Sequence, residues 1–136
     1  MDFMKSLFVA ASGLKAQSGR MRVIAENIAN ADSTARTPGA DPYRRKIPTF
    51  EAIYDRKMQV NRVELGRVEK DRSDFNLRFN PSHPAANEDG FVKMPNVDRL
   101  VEAVDMREAQ RSYEANLNVI TSTRTMLART LEILRA

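Results

Sequence analysis

Residues 96–134, NVDRLVEAVDMREAQRSYEANLNVITSTRTMLARTLEIL, contain neither glycine nor proline. The stretch reads as one unbroken α-helix, opened by Asn96 or Asp98 as its cap. Met106, Tyr113, Ile120, Leu127 and Leu134 recur every seven residues, with Ala109, Asn116, Thr123 and Thr130 three residues after the first four. A seven-residue apolar repeat lays a stripe along one helix face, the pattern of coiled-coil-like pairing. Asp98, Glu102, Asp105, Glu108 and Glu114 crowd the first half, while Arg124, Arg129 and Arg135 occupy the second. That order suits the helix dipole. At ~1.5 Å per residue such a helix is about 55 Å long, too long for a compact domain of this size. Val97, Val101 and Val104, then Leu117 and Leu131, fall off the main stripe. A wide core-facing stripe would account for them, and so would a helix that touches more than one neighbour. Asn116 and the seam threonines give up stability but can set register and partner choice.

The other end of the chain mirrors this one. Residues 3–30 hold no proline, and Leu7, Leu14, Met21 and Ile28 fall seven apart with small residues between them. Small intermediate positions favour close helix approach over a leucine-rich zipper. Gly13 and Gly19 each weaken this helix by about 1 kcal/mol relative to alanine, so it should be marginal alone. The expected fold is mainly α: residues 1–30 and 97–136 pair as an antiparallel coiled-coil-like layer, and residues 31–96 form a separate middle piece.

Five of the six prolines fall between Pro38 and Pro84, and Pro95 closes the middle segment. Thr37-Pro38-Gly39-Ala40-Asp41-Pro42 is a turn-rich loop. Alternation at Met58/Val60, Val63/Leu65 and Phe75/Leu77/Phe79 predicts a few short strands between about 44 and 95, gathered in a small antiparallel sheet. Asn80-Pro81-Ser82-His83-Pro84 closes one of them, and Asp89-Gly90 turns into Phe91-Val92. So few large apolar side chains make a thin core.

Composition narrows the function. The chain has 136 residues, no cysteine, no tryptophan and one histidine. That excludes a disulfide framework and a thiol nucleophile, and argues against a histidine-based metal site. No glycine loop cradles phosphate and no carboxylates fall at metal-loop spacing, so neither cofactor nor metal is expected. The net charge is +4, but it is spread nearly evenly, with one local excess from Arg36 to Arg62 centred on Arg44-Arg45-Lys46. A basic triplet is most simply a solvated loop, and nucleic-acid binding is not expected. No apolar run approaches the ~18 residues of a membrane span. Lys5 followed by Leu7–Ala11 is too short a run for a leader and merges into the amphipathic pattern, so no cleaved signal peptide is expected. His83, the lone candidate base, lies between two prolines and reads as structural. Asn80-Pro81-Ser82-His83 resembles the Asn-Pro-Thr-His site of self-cleaving export-switch proteins, where the asparagine amide attacks its own carbonyl. Asn-Pro is also a routine turn, and the chain is expected to stay whole.

Longer strings carry a resemblance. Ala10–Gln17 with Ile24-Ala25-Glu26-Asn27-Ile28-Ala29-Asn30-Ala31-Asp32-Ser33-Thr34 is similar to the N-terminal signature of the bacterial flagellar rod and hook proteins. Pro42–Lys46, Asn80–Asn87 with Gly90-Phe91-Val92, Met94–Val97 and Val104–Asn116 are ordered as in a short proximal rod subunit of that superfamily. The alternative is a generic coiled-coil adaptor.

The resemblance implies a non-enzymatic structural subunit that stacks helically into the hollow rod crossing the periplasm, a part of the flagellar basal body. It implies export through the flagellar type III apparatus. The implied partners are other proximal and distal rod proteins and the adaptor between membrane ring and rod, with no membrane insertion. Leu7, Leu14, Met21 and Ile28 against Met106, Tyr113, Ile120, Leu127 and Leu134 are the expected assembly seam. Asn27, Ile28, Asn30 and Asp32 are the family motif, with the polar three expected to end the first helix. Arg44, Arg45 and Lys46 are candidates for ionic contacts between subunits. The free monomer is expected to have partly disordered termini that fold on addition.

Overall fold

The computed structural model describes residues 2–136. Two helices and six short strands follow in the order α1 (Phe3–Ala29), β1 (Lys46–Ile47), β2 (Phe50–Asp55), β3 (Val60–Leu65), β4 (Glu69–Lys70), β5 (Asn76–Phe79), β6 (Phe91–Met94) and α2 (Arg99–Arg135). An N-terminal and a C-terminal helix thus flank a small strand-containing middle.

Local chemistry sets the helix boundaries. Asp2 caps α1, its Oδ1 accepting the backbone N–H of Met4 at 3.0 Å and of Lys5 at 3.3 Å. Asp98 caps α2 in the same way, accepting from Leu100 at 2.9 Å and Val101 at 3.4 Å. Asn96, the other candidate cap, is used elsewhere. At the exit of α1, both the backbone N–H and the side-chain amide of Asn30 donate to the Glu26 carbonyl, at 3.0 and 2.9 Å. Its Oδ1 accepts the Ser33 hydroxyl at 3.0 Å. Asn30 therefore does the turning. Asn27 does not: it sits inside α1 and is fully buried.

The strands form three separate antiparallel pairs, β1–β4, β2–β3 and β5–β6, where the sequence predicts one small sheet. Pro48 has no N–H to offer and interrupts the ladder between β1 and β2. β2 shows no clean alternation and escapes the sequence reading. Met58, expected in a strand, lies in the turn joining β2 to β3, where Asp55 Oδ1 accepts the N–H groups of Lys57 and Met58 at 2.9 and 3.0 Å. β5 is the strand that Phe75/Leu77/Phe79 predicts, with Phe79 opposite Phe91. Gly90, at φ +82°, makes the turn before β6.

The chain forms two compact units. The first comprises Met1–Met21, Thr49–Arg67 and Arg107–Ala136; the second comprises Arg22–Pro48 and Val68–Met106. In the first, Ala10, Ala16, Ala109 and Thr123 are buried. Small residues set its packing distances. A Cβ on Gly13 would come within 2.8–2.9 Å of the Asn116 side-chain amide, and one on Gly19 within 2.9 Å of Leu65. Arg20 reaches Glu108 at 3.5 Å, so the α2 partner's number falls as the α1 number rises. The Ser12 hydroxyl accepts the Val63 N–H at 3.3 Å and joins β3 to α1. In the second unit Val23, Ile24, Ala31, Ala85, Val92 and Val97 form the apolar core, and Asn27 and Glu102 are buried with them.

Candidate functional site

Asn27 is the centre of the second unit's polar interior. Its Oδ1 accepts the Tyr43 hydroxyl at 2.8 Å and the Lys46 N–H at 2.9 Å. Its Nδ2 donates to the Lys46 carbonyl at 2.8 Å and to Glu102 Oε2 at 3.2 Å. Every hydrogen-bonding position of this fully buried amide is used, so α1, the loop before β1 and α2 meet at one side chain. A helical asparagine elsewhere would be a mild liability; here its amide bonds the Tyr43–Lys46 loop and the buried Glu102 together.

Glu102, 0% exposed, has Arg45 on its other oxygen. The same guanidinium reaches Asp71 at 3.5 Å and Asp105 at 3.6 Å. Burial works against the Arg45 cation, but hydrogen bonding and attraction from Glu102, with Asp71 adding, raise its pKa above the ordinary arginine value. The Ser73 N–H and hydroxyl, with help from Arg45, hold the Asp71 carboxyl below its usual range. Burial, with Glu26 and Glu102 close by, pushes the Tyr43 phenol up to about 12. Asn96 repeats the role of Asn27: its Oδ1 accepts the Arg45 N–H at 2.8 Å, and its Nδ2 donates to the Asp71 carbonyl at 3.1 Å and to Ser73 Oγ at 3.0 Å.

The basic triplet is therefore occupied within the chain. Lys46 pairs with Glu26, and Arg45 with the three carboxylates. Arg44 donates to the carbonyls of Asp71 and Ser73 at 2.8 and 3.1 Å and stacks 4.1 Å above the Phe75 ring. Asp32, the last motif residue, is exposed and pairs with Arg99. Ile28 is half-buried.

Leu7, Leu14, Met21, Met106, Tyr113, Ile120 and Leu127 are all half-buried, and Leu134 is 77% exposed. The deepest heptad line on α2 lies beside them: Glu102, Ala109 and Thr123 are buried, with Asn116 between the last two facing Gly13. The large side chains flank a line of close approach made by small and polar ones. Leu100, Val101, Val104, Leu117 and Leu131 are exposed, while Val97 is buried.

His83 accepts the Ala85 N–H on Nδ1 at 3.0 Å, which places its proton on Nε2, 3.1 Å from Thr34 Oγ1. Tyr43, Asp71 and Glu102 were not singled out by sequence reasoning as site residues. Tyr43 and Asp71 act through partners distant in sequence, and Glu102 looks like any acidic residue in the first turn of a helix.

No described helix is long and apolar enough to cross a membrane. The sequence profile described as "Flagella basal body rod protein" matches residues 7–36, and that described as "Flagellar basal body rod FlgEFG protein C-terminal" matches residues 88–133. The matches cover most of α1 with its polar exit and most of α2, the elements that meet at Asn27 and Glu102. Whole-chain relatives narrow the class. A flagellar basal-body rod protein FlgC of Agrobacterium fabrum is 53% identical over 94% of this chain and 92% of its own length. One of Bacillus subtilis is 40% identical over 98% and 99%, and one of Salmonella typhimurium 38% over 92% of each. The chain belongs to the FlgC family of flagellar basal-body rod proteins, structural subunits of the rod.

Proposed function

We propose that this subunit builds the proximal part of the rod by presenting a paired helical layer to its neighbours. The observation that carries this is the set of large apolar side chains that α2 leaves open to solvent, Leu100 and Val104 near its start and Leu131 and Leu134 near its end. Such a surface is unfavourable in a free monomer and suits a polymer that covers it. In that assembly residues 1–30 and 97–136 act as an antiparallel coiled-coil-like domain and residues 31–96 as the outer middle domain. Gly13 against Asn116 and Arg20 with Glu108 support the antiparallel sense. Leu7, Leu14, Met21 and Ile28, with Met106, Tyr113, Ile120, Leu127 and Leu134, contribute their uncovered halves to contacts between subunits. Contacts between unlike surfaces that do not close into a ring generate an open helical tube.

The partners are other proximal and distal rod proteins and the adaptor at the membrane ring. Delivery to the periplasm runs through the type III export apparatus. The role is mechanical and requires neither catalysis nor cofactor. Arg44, Arg45 and Lys46 shape the subunit first; their ionic contribution to neighbours is confined to the sides of the charges that still face solvent. Deletion of the gene, with complementation by the intact gene, tests the function. Loss of rods and swimming is expected, and a flagellated, swimming deletion strain would overturn it.

A further inference from the structure

The Asn80-Pro81-Ser82-His83 string plays no part in the helical layer, yet the fold builds a cavity from it. A half-open cavity of about 160 Å³ in the second unit is lined by Asn80 and His83, by Thr34 after the α1 exit, and by Arg78 on β5. Buried Val92 also lines it. The hydrogen bonds give the cavity a sign. Ala85 N–H donates to His83 Nδ1, so Nε2–H donates to Thr34 Oγ1 at 3.1 Å and the threonine hydroxyl proton is left for another acceptor. Asn80 Oδ1 is taken by the Ser82 hydroxyl at 2.9 Å, which leaves its Nδ2 unspent. Among the described residues the Arg78 guanidinium has neither hydrogen bond nor ion pair, whereas Asp32, which also lines the cavity, is paired with Arg99. Three unspent donors, one of them a cation, therefore share a small cavity whose one carboxylate, Asp32, is already paired with Arg99.

We infer that this cavity is a socket for a carboxylate, supplied by an aspartate or glutamate side chain of a neighbouring rod subunit. A planar guanidinium with amide and hydroxyl donors in the same cavity is a donor set suited to the two oxygens of a carboxylate. The volume admits one acidic side chain and little more. The socket rests on the rod reading and adds to it the chemistry of one contact.

Arg78 is exposed, so replacing it spares the fold. In cells, Arg78→Glu is expected to abolish swimming and rod completion while the purified subunit keeps its circular dichroism and melting temperature; Arg78→Lys retains part of the swimming. Motile revertants of Arg78→Glu are expected to change an acidic residue of a rod subunit to lysine or arginine. Acetate, titrated into the free subunit as the source-free probe, is expected to give only weak, non-saturating shifts at the Asn80 side-chain amide. Saturation by acetate at micromolar concentration would assign the socket to a free small acid and overturn the subunit contact. Wild-type swimming of Arg78→Glu would overturn the socket, while the deletion phenotype would still report on the rod reading by itself.

Discussion

Asn27→Ala removes four hydrogen bonds and leaves the Tyr43 hydroxyl, both backbone groups of Lys46 and one oxygen of Glu102 without their partner. Each buried polar group so orphaned costs on the order of 1–3 kcal/mol, so a loss of about 3 kcal/mol or more is expected in denaturant unfolding of the subunit. Asn27→Asp should be at least as damaging, since it replaces two donated bonds with a second acid beside Glu102. Tyr43 adds a pH dependence to the same cluster. Its phenol titrates near 10 when unfolded and at about 12 when folded. The folded state therefore holds the proton more tightly, and the resulting stability is intact below pH ~10 and is lost as pH rises towards about 12. Tyr43→Phe is expected to flatten that part of the stability curve relative to the parent, measured by urea midpoints across the alkaline range. At the opposite end, the lowered Asp71 carboxyl contributes stability that disappears as pH falls below the ordinary carboxylate range. None of this cluster was legible as a cluster. The sequence marks Asn27 and Arg45 as conspicuous, but nothing in a linear string pairs position 45 with 71, 96 and 102.

Helix elements follow from local rules far better than strands do. Caps, absence of breakers and a seven-residue repeat are all carried within α1 and α2, so their extents could be read almost to the residue. β2, by contrast, is defined only by β3 lying opposite it, Phe50 against Leu65 through Asp55 against Val60. The large apolar residues were easy to find, but the line of closest approach runs through Gly13, Asn116, Ala109 and Thr123, because proximity selects small side chains. The two helical glycines test that logic. Gly19→Ala meets only the far end of the flexible Leu65 side chain, so the alanine gain of about 1 kcal/mol in helix propensity should largely survive. Gly13→Ala meets the whole Asn116 amide, which is itself bonded to the Ser112 carbonyl at 3.0 Å. Its gain should be cancelled or reversed. Thermal melts of the two variants side by side are expected to rank Gly19→Ala above the parent and Gly13→Ala at or below it.

For the whole molecule, stability is distributed unevenly along α2, and this bears on how a subunit is added to a rod. Near its start, Val97, Glu102 and Ala109 are buried, and Glu102 is tied to Asn27 and Arg45. From Arg124 to Arg135 every side chain is exposed except the half-buried Leu127. An isolated helix of that length is marginal in water, because too few hydrogen bonds follow the costly first turn. The free subunit should therefore be firm around the Asn27 cluster and frayed along the last three turns of α2, where Leu131, Ile133 and Leu134 stand open. This refines the expectation of disordered termini: α1 is clasped along Ala10, Gly13 and Ala16, so fraying belongs to one helix end rather than to both. Amide hydrogen exchange measures it directly. Residues 23–31 and 97–109 are expected to exchange slowly in the free subunit, and residues 124–135 fast. In purified basal bodies the same 124–135 amides should become protected, because the neighbours that cover these apolar side chains also fix the helix that carries them. Equal protection of the whole of α2 in free subunit and rod would mean that the helix needs no neighbour, and its exposed apolar side chains would lose their role in assembly.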